Sequence, residues 1–232
     1  MLINNMKKPL VIIILGPAGS GKGTQAKLVA KKFGLEYFGS GDALRARQKV
    51  DDFTAKKLIK VMRKGELVPS FVISKLWIDG LEKFKQKVKF NGLVCDGSPR
   101  KILEAKLFDE ALNWYDWQEK AKVIFINISR KESFHRLTKR RQCKKCGRII
   151  PWLGEFKKLK KCDNCGGELI IRADDKPEAI RKRLEEFKNE VIPVIKHYRE
   201  QGKLIEINGE QSIEDVFEEI LSKLRWKMKK LK

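Results

Sequence analysis

At 232 residues, 42% hydrophobic and 35% charged, the chain has the make-up of a soluble globular protein with one sizeable core and room for a small insert. No run approaches the roughly 20 continuous apolar residues of a membrane-spanning helix, and Met1–Lys8 lacks the apolar stretch and cleavage site of a signal peptide, which argues against a membrane partner and for the cytoplasm. Lys and Arg outnumber Asp and Glu by 52 to 30, a net charge of +22, so acidic partners are expected, either nucleic acid or a smaller anion such as a nucleotide.

The first predicted element is Val11-Ile-Ile-Ile-Leu15, whose β-branched run reads as a strand buried on both faces of a parallel sheet. Gly16-Pro-Ala-Gly-Ser-Gly-Lys22-Gly-Thr24 follows and opens a helix expected over Thr24–Phe33. Glycines turn the backbone so that successive amides converge, the helix N-terminus adds partial positive charge, and Lys22 adds a full one. Strand, Gly-x-x-x-x-Gly-Lys and helix in that order make a phosphate cradle, the P-loop.

Leu35–Phe38 is a short second strand, and Gly39-Ser-Gly-Asp42 signals a turn and a helix start. One helix is expected over residues 43–64, ending at Gly65, and another opens at Pro69-Ser70 with Ser70 as its cap. Further strands are expected at Leu93–Asp96, Lys122–Ile128 and Lys203–Ile207. Helical patterns over 102–112, 132–141, 178–200 and 213–228 separate them. Strand alternating with helix predicts a parallel sheet covered on both sides, with ligands at the carboxyl ends of its strands, where the P-loop and Asp96 both fall. Trp114, Tyr115 and Trp117 read as packing residues, and Cys95 as a buried filler. The basic tail (Lys223, Arg225, Lys227, Lys229, Lys230, Lys232) reads as a solvated end.

Cys143-x-x-Cys146 and Cys162-x-x-Cys165 have the spacing of a tetrahedral zinc site. Four thiolates leave no open position, so such a zinc is structural; two disulfides or an iron–sulfur cluster are the alternatives. Three further constellations carry positive charge beside turns. They are Asp96-Gly-Ser-Pro-Arg100, then Arg136 with Arg140 at i, i+4 on one helix face, then Arg172-Ala-Asp174-Asp175 with Arg183. Guanidinium binds phosphate bidentately, and phosphoryl transfer is mostly placement and charge neutralisation.

Taken together, Gly16-x-x-Gly19-x-Gly21-Lys22-Gly23-Thr24-Gln25, Ser40-Gly-Asp-x-Leu-Arg45, Gly65-Glu-Leu-Val-Pro69, Asp96-Gly-x-Pro-Arg100, the arginines and the cysteine insert resemble the adenylate kinases and related nucleoside monophosphate kinases from about Leu10 to Ile220. The resemblance implies a P-loop NTPase-type α/β fold with a five-stranded parallel sheet. The core comprises residues 1–38, 69–137 and 174–232, with a helical monophosphate-binding insert at 39–68 and a zinc-binding lid at 138–173. It implies reversible transfer of a γ-phosphoryl group from Mg-ATP to a nucleoside monophosphate, AMP first and GMP, CMP or UMP as alternatives, by a monomer.

By the same resemblance Gly19, Ser20, Gly21, Lys22, Gly23 and Thr24 bind donor phosphates, Arg136 and Arg140 approach from the lid side, and Gln211 lies by the donor base. Arg45 and Arg100 clamp the acceptor phosphate, with Ser40, Glu66, Val68, Gly97 and Glu104 around the acceptor. Arg172 and Arg183 bridge the two nucleotides, and Asp96 holds Mg²⁺ through water. Two positions depart from the family pattern: Ser98 replaces an aromatic, and Glu104 stands where the family reads adenine with glutamine. A P-loop and zinc-ribbon factor acting on RNA is the alternative from another class, and RNA contact through the basic surface is a secondary expectation beside the enzyme.

Overall fold

The computed structural model describes residues 8–229; Met1–Lys7 and the tail lysines Lys230 and Lys232 lie outside them. The expected central strand is β1 (Leu10–Leu15), buried at every position. Its side chains alternate between two cores: Val11, Ile13 and Leu15 in one, Leu10, Ile12 and Ile14 in the other. A strand that must be apolar on both faces reads as a continuous hydrophobic run, which is why it was legible.

β1 pairs in parallel with β3 (Gly92–Asp96) and β4 (Ala121–Asn127), and the sheet is completed by β2 (Glu36–Gly39) and β8 (Leu204–Asn208) in the order β2-β3-β1-β4-β8. Helices α4 (Ser70–Lys85), α5 (Ile102–Trp114) and α8 (Ile192–Glu200) contribute to one core, where Trp77 meets Phe108 edge-on at 5.1 Å. Helices α1 (Lys22–Phe33) and α9 (Ile213–Lys229) contribute to the other. The strand order reverses at β1, so a crevice opens beyond its carboxyl end, between β3 and β4.

The remaining elements hang on this sheet. Two helices, α2 (Ser40–Arg47) and α3 (Phe53–Arg63), follow β2. The single helix expected over 43–64 is therefore divided: Asp52 is extended and caps α3, accepting from the Ala55 amide at 2.8 Å. Ser70 is not a cap, since Pro69 holds that position and α4 starts on Ser70 itself. After α6 (Arg130–Lys139) comes a module with its own antiparallel sheet of β5 (Arg141–Cys143), β6 (Ile149–Ile150) and β7 (Leu169–Ile170) in the order β6-β5-β7. The helix expected over 178–200 is α7 (Pro177–Glu186) and α8, joined by a π-turn at Phe187–Val191. Pro193, which has no amide hydrogen to give, sits just beyond that turn. Tyr115 and Trp117 are buried as expected; Trp114 is 81% exposed and packs on nothing central. Among the described residues no helix is long and apolar enough to cross a membrane.

Candidate active site

The loop between β1 and α1 ends on Gly21, whose left-handed φ of 89° suits glycine and turns the chain into the helix. Lys22 begins α1, so the first amides of the helix, which have no intrahelical partner, face the loop with the ammonium. Lys22 Nζ donates to the Pro17 carbonyl at 2.9 Å. Burial draws its pKa down to about 7, with Asp96 opposing. Asp96 closes β3, and burial pushes its carboxyl up, against the pull of Lys22. Desolvation thus pushes both groups toward their neutral forms, while their mutual attraction opposes it.

A cleft of about 900 Å³ lies over this pair. It is lined by Ser40, Arg45, Glu66, Val68 and Glu104, and by Arg136, Arg140 and Gln211. Arg172 and Arg183 face the same space. The structure thus brings every candidate phosphate- or base-contacting residue to one cavity. Of the four cysteines only Cys146 reaches it; Trp152 and Phe156 of the cysteine module also line it, and no spacing in the sequence marked them.

Each arginine is held by a carboxylate or carbonyl. Arg45 donates to Asp42 at 2.6 Å and Arg136 to Glu132 at 2.6 Å, while Arg100 Nε donates to the Gly97 carbonyl at 2.7 Å. Ser40 donates to that same carbonyl at 2.8 Å, tying the start of α2 to the end of β3. Arg140 differs from expectation. It does not share a helix face with Arg136, because it is the extended C-cap of α6 (φ −60°, ψ 144°). From there it donates twice to Asp175, at 2.8 and 2.6 Å. Arg183 donates to Asp175 at 3.0 Å and Arg172 to Asp174 at 2.7 Å. Burial and the neighbouring Arg140 lower Arg183 to about 10. These carboxylates aim the guanidiniums before any ligand arrives, the condition under which fixed charges stabilise a reacting group best.

Gln211 spends its side chain at home, donating to Asn208 O at 2.8 Å and Glu219 at 2.6 Å. Gln25 donates to the Ile213 carbonyl at 2.8 Å and so pins α1 to the start of α9.

Asp96 is a single hard oxygen donor with no nitrogen or sulfur ligand beside it, and its Oδ2 lies 3.0 Å from where a Cβ on Gly23 would stand. That suits Mg²⁺ held through its own waters. The four cysteine sulfurs all lie within 4.8 Å of one another, with Sγ separations of 3.5 Å (Cys143–Cys165) and 3.6 Å (Cys146–Cys162). These distances are far from a bonded disulfide and close to the edge of about 3.8 Å that a tetrahedron of thiolates around zinc requires. The cluster can hold one such ion.

A sequence model of the family described as Adenylate kinase matches residues 14–203. The chain is 38% identical over 210 residues to an adenylate kinase of Archaeoglobus fulgidus, covering 90% of this chain and 95% of the relative. It is 39% identical over 211 residues to one of Methanothrix thermoacetophila, covering 90% and 95%. To one of Chlamydia trachomatis it is 36% identical over 228 residues, covering 94% and 91%.

Proposed function

This chain belongs to the adenylate kinase family and is a nucleoside monophosphate kinase; we propose that it moves the γ-phosphoryl group reversibly from Mg-ATP to AMP, giving two ADP. The observation that carries the reading is the convergence on one cleft of the P-loop, Lys22 and arginines from separate elements. In this assignment Gly19–Thr24 and Lys22 receive the donor phosphates, with Arg136 and Arg140 on the same side. Arg45 and Arg100 clamp the acceptor phosphate near Ser40 and Gly97, and Arg172 with Arg183 neutralise the group in transit. Gln211 presents backbone to the donor base. Mg²⁺ bound near Asp96 supplies charge neutralisation at the phosphates. Residues 39–68 serve as the acceptor-binding insert. Residues 138–173 serve as a lid that excludes water, which otherwise competes for the phosphoryl group. The test is a coupled diphosphate-release assay with Mg-ATP and each of AMP, GMP, CMP and UMP. Turnover with AMP foremost is expected, and none with any acceptor would refute the activity.

Glu104 bears on the acceptor base. It is 2% exposed, and its Oε2 accepts from the Arg100 amide at 2.7 Å. Burial pushes its carboxyl up, against the pull of that amide. In its acid form Glu104 offers a donor and an acceptor, as glutamine does; ionised, it only accepts. KM for AMP is therefore expected to rise as pH increases through the raised carboxyl pKa. Glu104→Gln should flatten that rise without a loss of kcat. A parent KM for AMP that does not change with pH would show that the acid form plays no part.

We assign the cysteine cluster to structural zinc. Strands of two or three residues make a marginal sheet on their own, so the ion acts as the staple of the module. Removing it with a chelator is expected to lower the melting temperature by more than it lowers turnover at low temperature. Unchanged melting after verified metal loss would count against this role.

A further inference from the structure

Tyr37, on β2, faces the cleft with no role in the assignments above. Its hydroxyl lies 3.1 Å from Asp96 Oδ2 and 3.3 Å from Asp42 Oδ2. A phenol has one proton to donate, so carboxylates from two different elements share a single donor. Burial and the two carboxylates push the hydroxyl pKa well up, which keeps that proton in place. Lys27 Nζ sits 5.5 Å from the ring centroid and helps hold the ring.

Gly39, two residues on, explains how the hydroxyl gets there. Its φ of −103° and ψ of 112° are ordinary extended values, so the backbone does not require glycine. Space does. A Cβ at this position would stand 2.5 Å from the Tyr37 hydroxyl and 2.9 Å from Asp42 Oδ2. One residue reaches inward and its neighbour gives up a side chain to admit it. Asp42 in turn pairs with Arg45, its Oδ1 accepting at 2.6 Å.

We infer that Tyr37 is a positioning residue: its hydroxyl fixes the Asp96 carboxylate at the end of β3 and joins it to Asp42, so that the cation site and the acceptor-phosphate clamp share one donor. The inference rests on the assignment of Asp96 and Arg45 proposed above. An acceptor phosphate that draws Arg45 away leaves Asp42 with the Tyr37 hydroxyl as a partner. Asp96 and Asp42 thus compete for one proton across the two halves of the site. Loss of the hydroxyl uncouples them.

The test uses the full-length protein, a non-hydrolysable ATP analogue and Mn²⁺ as the probe cation, with binding followed by electron paramagnetic resonance. Tyr37→Phe keeps the ring and removes the donor. It is expected to weaken Mn²⁺ binding in the nucleotide complex roughly ten-fold, the order of one hydrogen bond to a charged group. It should also raise the acceptor KM and leave the melting temperature close to the parent's. Gly39→Ala should weaken Mn²⁺ binding by more in the parent than in Tyr37→Phe, where the hydroxyl is gone and only the ring carbon and Asp42 Oδ2, each 2.9 Å from the added Cβ, remain to be displaced. Parent-like Mn²⁺ affinity in Tyr37→Phe, or an equal cost of Gly39→Ala in both backgrounds, would overturn the assignment. A parent that binds the Mn²⁺–nucleotide complex yet transfers no phosphoryl group counts against the proposed activity, while the comparison still decides on Tyr37.

Discussion

Lys22→Met is expected to lower kcat on the order of 10²–10³-fold while leaving the nucleotide-free protein at least as stable as its parent. The side chain is partly buried and donates to one carbonyl, and desolvation draws its pKa down to about 7. Between this value and the ordinary lysine value of 10.5 the unfolded chain holds a proton that the folded chain does not. Stability of the parent therefore rises with pH across that window, and the penalty for burying the ammonium is fully present below about pH 7. Methionine removes the penalty, so the stability gain of the variant should be largest near pH 6.5 and shrink toward pH 10. Thermal melts at the two ends measure it. A triphosphate in the loop restores the charge, so nucleotide binding by the parent at pH 8 should take up a proton. Calorimetry in buffers of different ionisation enthalpy reads that uptake. A variant within ten-fold of the parent rate would contradict the role of Lys22, and a pH-independent stability difference would contradict its buried state.

The second large effect is on stability. Asp175 has a fully buried carboxylate that accepts from Arg140 at 2.6 and 2.8 Å and from Arg183 at 3.0 Å. Asp175→Ala takes the bidentate carboxylate from Arg140 and leaves Arg183 with Asp174 alone, 3.4 Å away; deleting one partner of a buried pair costs about 3–5 kcal/mol. For a chain of this size that is roughly 10 °C in melting temperature. Asp175→Asn keeps the shape and one acceptor, and should recover part of the loss. The same alanine variant frees Arg140 and Arg183 to wander from the cleft, so its kcat should fall even well below its melting temperature. Melting within 2 °C of the parent, on the same scale, would mean that the three groups are solvated rather than locked together.

Some of the site was readable from spacing because its chemistry is local. A P-loop needs Gly21 and Lys22 at the mouth of one helix, and each zinc knuckle needs two thiolates three positions apart; both are built by contiguous backbone. The arginines were readable as types and motifs, while their geometry was not. Arg136 and Arg140 differ by four positions, which predicts one helix face. Arg140 instead leaves the helix because Asp175, 35 positions away, offers it a bidentate partner. The π-turn before Ile192 escaped for a similar reason: the apolar spacing of Leu184, Val191 and Ile195 continues across it. Tyr37 carried no signal at all, since an aromatic residue on a strand is ordinary packing until its hydroxyl is seen between two carboxylates.

What the sequence by itself determined was the phosphate-binding loop, the alternation of buried strands and covering helices, and the four-cysteine cluster, because each depends on residues close together in the chain. Only the tertiary structure decided which carboxylate holds which arginine, that Glu104 is sealed from water against the Arg100 amide, and that Tyr37 bridges Asp42 and Asp96. Those outcomes depend on burial and on partners brought together from distant segments, and neither desolvation nor a contact across the cleft is written in the order of residues along one strand or helix.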